Sequence, residues 1–115
     1  MAVDPIDIAV FRELEEATGS DFIAELVATF LEEAPGILAE LKDAAATGDH
    51  DQFRRAAHSI KSNANVFGAH ELAELARRME LSGLGADQTE TGAQLDALNA
   101  AYERSTAELQ VLLDD

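Results

Sequence analysis

The chain has 115 residues, which is enough for one domain with one hydrophobic core and too few for two. Its 23 acidic residues against 8 Lys and Arg give a formal charge of −15, which disfavours binding to nucleic acid or to an anionic membrane surface. The absence of Cys excludes a disulfide framework, a thiolate metal site and a cysteine nucleophile.

The composition predicts an all-α protein. Ala, Leu and Glu, which favour helices, are abundant, whereas Val and Ile are sparse and Trp is absent. A first short helix is predicted over residues 7–17 and is ended by Gly19. Ser20 then follows as the predicted N-cap of the second helix.

The second helix gives the strongest periodic signal. Its apolar residues recur at three- and four-residue steps, at Ile23, Leu26, Val27, Phe30, Leu31, Ile37, Leu38, Leu41 and Ala45. Pro35 falls inside this pattern, either as a kink in one long helix or as the first residue of a second piece. We favour one kinked helix because the apolar pattern resumes in phase beyond the proline. Gly48 is predicted to end it.

The third helix has recognisable signals at both ends. Asp49 is followed three residues later by Gln52, which is a capping-box arrangement at a helix start. The helix is predicted to run to about Phe67 and to stop at Gly68, because glycine commonly follows the last helical turn.

Two further helices complete the predicted domain. The fourth is predicted to begin near Ala69, and the fifth to begin after a cap at Asp87 and to run to about Leu113. Short connections make successive helices antiparallel neighbours. We therefore predict a single domain over residues 1–115, an antiparallel up-down-up-down four-helix bundle with a short extra N-terminal helix.

The sequence contains no predicted export or membrane segment. Its first residues, MAVDPIDIAV, are acidic and lack the basic region of a signal peptide. No apolar run approaches the roughly 18 residues that a membrane helix needs. We expect a cytoplasmic, monomeric protein.

The third helix carries a histidine within a segment that has no acidic residue. Neither Asp nor Glu occurs between Gln52 and His70, although the chain as a whole is strongly acidic. At 100° per residue, His58 lies about 140° from Phe53, which marks the apolar stripe, so His58 faces solvent or a partner. Its neighbours on the helix surface are Arg54, Lys61, Ser62 and Asn65.

These neighbours indicate a site for a phosphoryl group, with no anion expected beside the ring. A neutral imidazole nitrogen is a nucleophile, and nearby cations disfavour the imidazolium form. Lys61 and Arg54 could then donate hydrogen bonds to phosphoryl oxygens, and the positive charge would attract an acidic partner surface. The same spacing also fits an ordinary surface histidine, so both interpretations stay open at this point.

The sequence lacks the residues that a kinase nucleotide site or a di-metal site would require. The sequence has no G-x-x-x-x-G-K-[ST] motif for a kinase nucleotide site. No acidic residue stands three positions before His50, His58 or His70, so the Glu-x-x-His pairs of a di-metal bundle are missing and no metal site is expected. His50 and His70 are predicted to be surface residues near helix starts. The aromatic residues predicted to pack in the core are Phe22, Phe30, Phe53 and Phe67.

The segment AAHSIKSNANVFGA resembles the signature of the histidine-containing phosphotransfer (HPt) domains, roughly A-H-x-x-K-G followed by small or polar residues and G-A. Upstream, FLEEAPGILAELKDAAATGD resembles the long second helix of that family, and ELAELARRME resembles the helix after the signature. The likeness covers nearly the whole chain. One departure is Ser62, which stands where the family usually has Gly.

The resemblance implies a phosphorelay intermediate without kinase activity of its own. His58 would accept a phosphoryl group from the aspartyl phosphate of a receiver domain and pass it to another receiver, and Lys61 would stabilise that group. The implied partners are response-regulator receiver domains or a hybrid histidine kinase, with Mg²⁺ supplied by the receiver and no cofactor bound by this chain. The residues expected to dock the partner are Arg54, Arg55, Ser62, Asn65 and the helix-ending Gly68.

The alternative is a helical-bundle adaptor that binds a receiver or another signalling protein without phosphotransfer. The presence of both His58 and Lys61 counts against an adaptor, because a protein that only binds needs neither.

Overall fold

The computed structural model describes residues 5–85 and 88–114, which form helices without any strand. The prediction of an all-α protein is therefore confirmed. The helices are α1 (Ile8–Thr18), α2 (Ser20–Thr47), α3 (His50–Val66), α4 (His70–Ser82) and α5 (Gln88–Asp114). None of these helices is long and apolar enough to cross a membrane, within the described residues.

The junction between α1 and α2 is shorter than predicted. Asp7 lies just outside α1 as its N-cap, and its side chain accepts hydrogen bonds from the amides of Ala9 and Val10. Ser20 was predicted to cap α2, but it is the first residue of that helix, and its side chain makes no capping hydrogen bond. Gly19, with φ +92°, is both the C-cap of α1 and the N-cap of α2. No residue therefore remains between the two helices to serve as a separate polar cap.

Helix α2 is continuous through Pro35, so the prediction of one long helix rather than two pieces is confirmed. It ends at Gly48, whose φ of +77° is the left-handed conformation predicted for this position. The side chain of Asp49 accepts a hydrogen bond of 3.0 Å from the amide of Gln52, which confirms the predicted start of α3. The predicted cap of α5 at Asp87 lies outside the described residues.

The four longer helices form a closed bundle. Helix α2 packs against α3 and α5, and α4 packs against the same two helices from the other side. Successive helices run antiparallel because their connections are short. The largest fully buried side chains include Phe53, Leu41, Ile60, Leu72, Met79, Leu98 and Leu109.

The beginning of α2 extends beyond the ends of α3 and α4. The ring centroids of Phe30 and Phe67 lie 5.5 Å apart, so Phe30 is level with the end of α3 and the turns of α2 before it protrude. Phe22 lies in this protruding segment and is 49% exposed. The prediction that Phe22 packs in the core is wrong, because no helix of the described residues covers that side of α2. Phe53 and the other two aromatic rings are buried.

Helix α1 lies against α2 and closes the turn between α3 and α4. The amide of Asp7 donates a 2.8 Å hydrogen bond to the carbonyl of Gly68, and Oδ2 of Asp7 lies 3.0 Å from Nε2 of His70. Gly68 has φ +74°, and a Cβ atom there would lie 2.8 Å from Cβ of Val10. Glycine is therefore required both by the backbone conformation and by the close approach of α1.

Candidate functional site

His58 lies in the middle of α3 and projects away from the bundle. Its side chain is 61% exposed, whereas the adjacent Ala57 and the nearby Ile60 are fully buried. The helical periodicity thus placed His58 on the correct face. Because buried residues hold α3 on both sides of His58, the ring is displayed from a fixed stretch of backbone.

A carboxylate from α4 contacts the imidazole. Nδ1 of His58 lies 2.6 Å from Oε2 of Glu80, and Nζ of Lys61 lies 2.9 Å from Oε1 of the same carboxylate. The expectation that no anion stands beside the histidine is therefore wrong. That expectation considered α3 alone, whereas the acidic residue comes from the neighbouring helix.

A signal for Glu80 was present in the sequence. His58 and Glu80 stand at nearly equal distances before and after Gly68, the turn that joins the two helices. In an antiparallel pair of helices, residues at similar distances from the turn lie side by side. Pairing positions across the predicted turn, in addition to following one helix face, would have placed this carboxylate near the histidine.

The hydrogen bonds of Glu80 determine which imidazole nitrogen is free. The pKa of Glu80 is lowered, chiefly by the hydrogen bond from Lys61 and further by that from His58, although partial burial opposes this. An ionised carboxylate only accepts hydrogen bonds, so the proton in the 2.6 Å contact belongs to Nδ1. In the neutral ring, Nε2 then carries the lone pair, and no described residue donates a hydrogen bond to it.

The predicted basic residues have different environments. Lys61 is only 24% exposed and is held by Glu80. Arg54 is paired with the carboxylate of Asp51 at 3.3 Å, and Nε of Arg55 donates to the Asp51 carbonyl at 3.4 Å. Both arginines are exposed. A shallow, open depression of about 430 Å³ is lined by Arg54, Arg55, His58, Ser59 and Glu80.

The other predicted docking residues fall into two groups. Ser62 and Asn65 are exposed on α3, about one and two turns beyond His58, on the face that carries the imidazole. Gly68 is buried beneath α1 and is not part of the exposed surface. Gly68 was expected among the docking residues, but it is not exposed. It lies in the turn between α3 and α4 and shapes that turn instead.

The remaining histidines lie apart from this cluster. His50 and His70 are exposed, and His70 contacts Asp7 at the start of α1. Among residues 5–85 and 88–114, no group of three or more His, Asp or Glu side chains is arranged to hold a metal ion.

The chain matches the family model described as Hpt domain over residues 25–108. It is 30% identical over 81 residues to the sensor protein TorS of Escherichia coli (strain K12), and this alignment spans 70% of the chain but only 9% of TorS. The fold is similar to the crystal structure of histidine-containing phosphotransfer protein B (HptB) from Pseudomonas aeruginosa PAO1. That comparison has a TM-score of 0.76 and 24% identity, and it covers 98% of this chain and 94% of HptB. The matched family segment contains His58, Lys61 and Glu80.

Proposed function

Because the chain belongs to the Hpt domain family, whose role is histidine phosphotransfer in two-component signalling, we propose that it is a phosphorelay intermediate. In this proposal, Nε2 of His58 accepts a phosphoryl group from the aspartyl phosphate of one receiver domain and passes it to the aspartate of another. The observation that carries the proposal is the exposed imidazole whose Nδ1 is bound to Glu80, which leaves Nε2 as the nucleophile.

The geometry supports a direct displacement at phosphorus. The lone pair of Nε2 attacks the phosphorus while the P–O bond to the receiver aspartate breaks, and the electron pair of that bond stays on the carboxylate. His58 projects from a fixed turn of α3 and is open to solvent, so a receiver active site can approach it directly. The Mg²⁺ in this proposal belongs to the receiver.

Lys61 is proposed to stabilise the transferred group. Its ammonium contacts Oε1 of Glu80 at 2.9 Å, and the other oxygen of that carboxylate contacts the imidazole. A phosphoryl group carries about two negative charges, and a lysine side chain can turn towards it without movement of the backbone. Arg54 and Arg55 add exposed positive charge to the same face. In so acidic a chain, this face attracts an acidic partner surface.

The proposed docking surface is the outer face of α3 from Arg54 to Asn65. These residues span about 17 Å along the helix axis. A typical interface buries about 800 Å² on each partner and would cover this length with His58 near its centre. We propose receiver domains, alone or within a hybrid histidine kinase, as the partners, and we propose that this chain acts as a carrier without kinase activity of its own.

The test uses a panel of receiver domains charged by a small-molecule phosphodonor with Mg²⁺. Each receiver is mixed with the wild-type protein and with His58→Gln, and acid-labile phosphate is mapped by mass spectrometry, with His50 and His70 as internal controls. We expect label on His58 alone. In His58→Gln the label should be lost while the free energy of unfolding changes by no more than about 0.5 kcal/mol, because the side chain is exposed.

Two results would contradict the proposal. Label that persists in His58→Gln would move the acceptor to another residue. A receiver that binds the wild-type protein tightly, yet never labels it, would favour the adaptor function over the relay.

A further inference from the structure

We infer that the groove between α2 and α5 is a second docking surface, which binds a basic amphipathic helix of a partner protein. Helices α2 and α5 form one side of the bundle, and α3 and α4 form the opposite side, which carries His58. A partner in this groove therefore leaves the imidazole open to a receiver. The surface is separate from the proposed phosphotransfer site, so its test involves no phosphate.

Two open depressions follow the seam between α2 and α5. The first has a volume of about 600 Å³, and its apolar lining residues are Pro35, Leu38, Leu95 and Tyr102. The second has a volume of about 660 Å³ and reaches Gly48. Both are lined by Leu95 and its neighbours, so they are adjacent parts of one groove. From Pro35 to Gly48 this groove extends about 20 Å, the length of about 13 helical residues.

Tyr102 gives the groove a large apolar surface with one polar group. Its ring is partly buried and packs edge-on against Phe30, with the ring centroids 5.7 Å apart. Among the described residues, no buried polar side-chain atom lacks a hydrogen-bond partner, and none donates to or accepts from the Tyr102 hydroxyl, which is therefore accessible. Tyrosine is enriched at protein interfaces because its ring supplies contact area and its hydroxyl a hydrogen bond.

Charge is distributed unequally between the two sides of the bundle. Helices α2 and α5 hold 11 acidic residues and two basic ones, whereas α3 and α4 hold four acidic and five basic ones. Each acidic residue of α3 and α4 has a basic partner, in the pairs Asp51–Arg54, Glu71–Arg104, Glu74–Arg77 and Glu80–Lys61. Arg104, the arginine of α5, is thus directed at α4 and not at the groove.

The acidic residues along the groove have no such partners. Asp96 and Glu103 of α5 line it, and Glu32 and Asp43 of α2 lie within about 40° of the lining residue Ala39 around the helix axis. All four carboxylates are exposed. Within residues 5–85 and 88–114, no cation forms an ion pair with any of them. An apolar groove thus runs between two rims of unpaired negative charge.

This arrangement matches an amphipathic helix that carries Lys or Arg on both flanks of its apolar face. The apolar face would fill the groove, and the cations would pair with the rim carboxylates. Lys42 also lines the groove, but it offsets only part of the acidic charge. A second copy of this chain is a poor match, because two α2–α5 sides would bring like charges together. Nucleic acid and anionic membranes are repelled by the same charge.

The probe for the test is a synthetic amphipathic peptide of about 15 residues, with Leu on one face and Lys on both flanks, which spans the groove. A matched peptide carries Glu in place of Lys. Binding to the whole protein is measured by isothermal titration calorimetry, and the site is mapped by amide NMR shifts. We expect the Lys peptide to shift Ala39, Leu95 and Asn99 but not Ser62 and Asn65 on the opposite side. The Glu peptide should not bind.

The contribution of charge is tested by two double variants. Asp96→Lys with Glu103→Lys reverses the α5 rim, and Glu13→Lys with Glu16→Lys reverses two exposed acids of α1, which line neither depression. Both double variants change the net charge equally, so unspecific attraction to an acidic chain would weaken equally in the two. We expect at least about tenfold weaker peptide binding for the rim variant and less than about a twofold change for the α1 variant.

The contribution of shape is tested by Ala39→Gln with the matched control Ala17→Gln. Ala39 is exposed in the wall of the groove, and a glutamine there occupies the groove without a change of charge. Ala17 is exposed on α1. Because alanine and glutamine both favour helices, the two variants should fold like the wild-type protein. We expect about fivefold weaker peptide binding for Ala39→Gln and unchanged binding for Ala17→Gln.

Absence of binding, equal weakening in the two charge-reversed variants, or amide shifts confined to α3 and α4 would each overturn the inference. A dimer of the free protein in sedimentation experiments, dissociated by Ala39→Gln, would assign the groove to a second copy of the chain instead. Each of these results would leave the relay function intact, since that function is tested by phosphate on His58.

Discussion

Replacing Gly68 by alanine tests how α1 is held on the bundle. Gly68 has φ +74°, and an added Cβ would lie 2.8 Å from Cβ of Val10 and 3.1 Å from the carbonyl oxygen of Asp7. Neither of these atoms is the end of a flexible side chain that could turn away. We therefore expect α1, or the turn beneath it, to shift in Gly68→Ala.

The expected loss of folding stability in Gly68→Ala follows from a comparison with Gly48→Ala. Gly48 has φ +77°, almost the same conformation, but no heavy atom lies within 4 Å of an added Cβ. A left-handed alanine costs about 1–2 kcal/mol, offset by about 0.4–1 kcal/mol from the lower entropy of the unfolded chain. Gly48→Ala should thus lose about 1 kcal/mol. Overpacking adds about 1–3 kcal/mol in Gly68→Ala, for a loss of about 2–4 kcal/mol.

Urea unfolding followed by far-UV circular dichroism measures both losses. With a slope of about 1–3 kcal/mol per molar urea, a difference of about 2 kcal/mol separates the two midpoints by about 1 M. The amide NMR shifts of Ile6 and Phe11, which are buried, report whether α1 has moved. Equal losses of stability in the two variants, with unchanged shifts, would refute the close packing of α1 against the turn.

Two further predictions concern the ends and the middle of the fold. Pro35→Ala should raise the melting temperature, because it restores a backbone N–H in the interior of α2 and an interior proline costs up to about 3 kcal/mol; a lower melting temperature would contradict this. The pKa of Asp7 is lowered from 3.8, chiefly by its hydrogen bond with His70. Asp7 therefore stabilises the folded protein at pH values above its unfolded-state pKa. This stabilisation is lost as the pH falls through its folded-state pKa. His70→Gln should therefore move acid unfolding to higher pH in a circular dichroism titration, whereas His50→Gln should not. Identical acid midpoints for the two variants would contradict the contact.

The features that depend on neighbouring residues in the chain were predictable from the sequence. Gly48 and Asp49 mark the end of α2 and the start of α3 through local backbone conformation and capping, which act within a few residues. The exposure of His58 follows from helical periodicity in the same way. These properties are set by one helix at a time.

Three details that depend on packing between helices were not predicted. Glu80 reaches His58 from another helix, and the periodicity of α3 alone carries no information about that contact. Phe22 has the spacing of a core residue, but the unequal lengths of the helices leave it uncovered. Gly68 has the signature of a helix end, yet its burial depends on where α1 docks. In each case the outcome depends on helix length and on the alignment of two helices.

The reactive residues all lie on one αα-hairpin. Helices α3 and α4 and their turn occupy residues 50–82, and this segment supplies His58, Lys61 and Glu80 with the contacts between them. Helices α2 and α5 contribute the apolar surface on which the hairpin rests. Protein designers could therefore graft these residues as one contiguous cassette onto an unrelated helical scaffold with a matching apolar groove, and transplant the histidine together with its carboxylate.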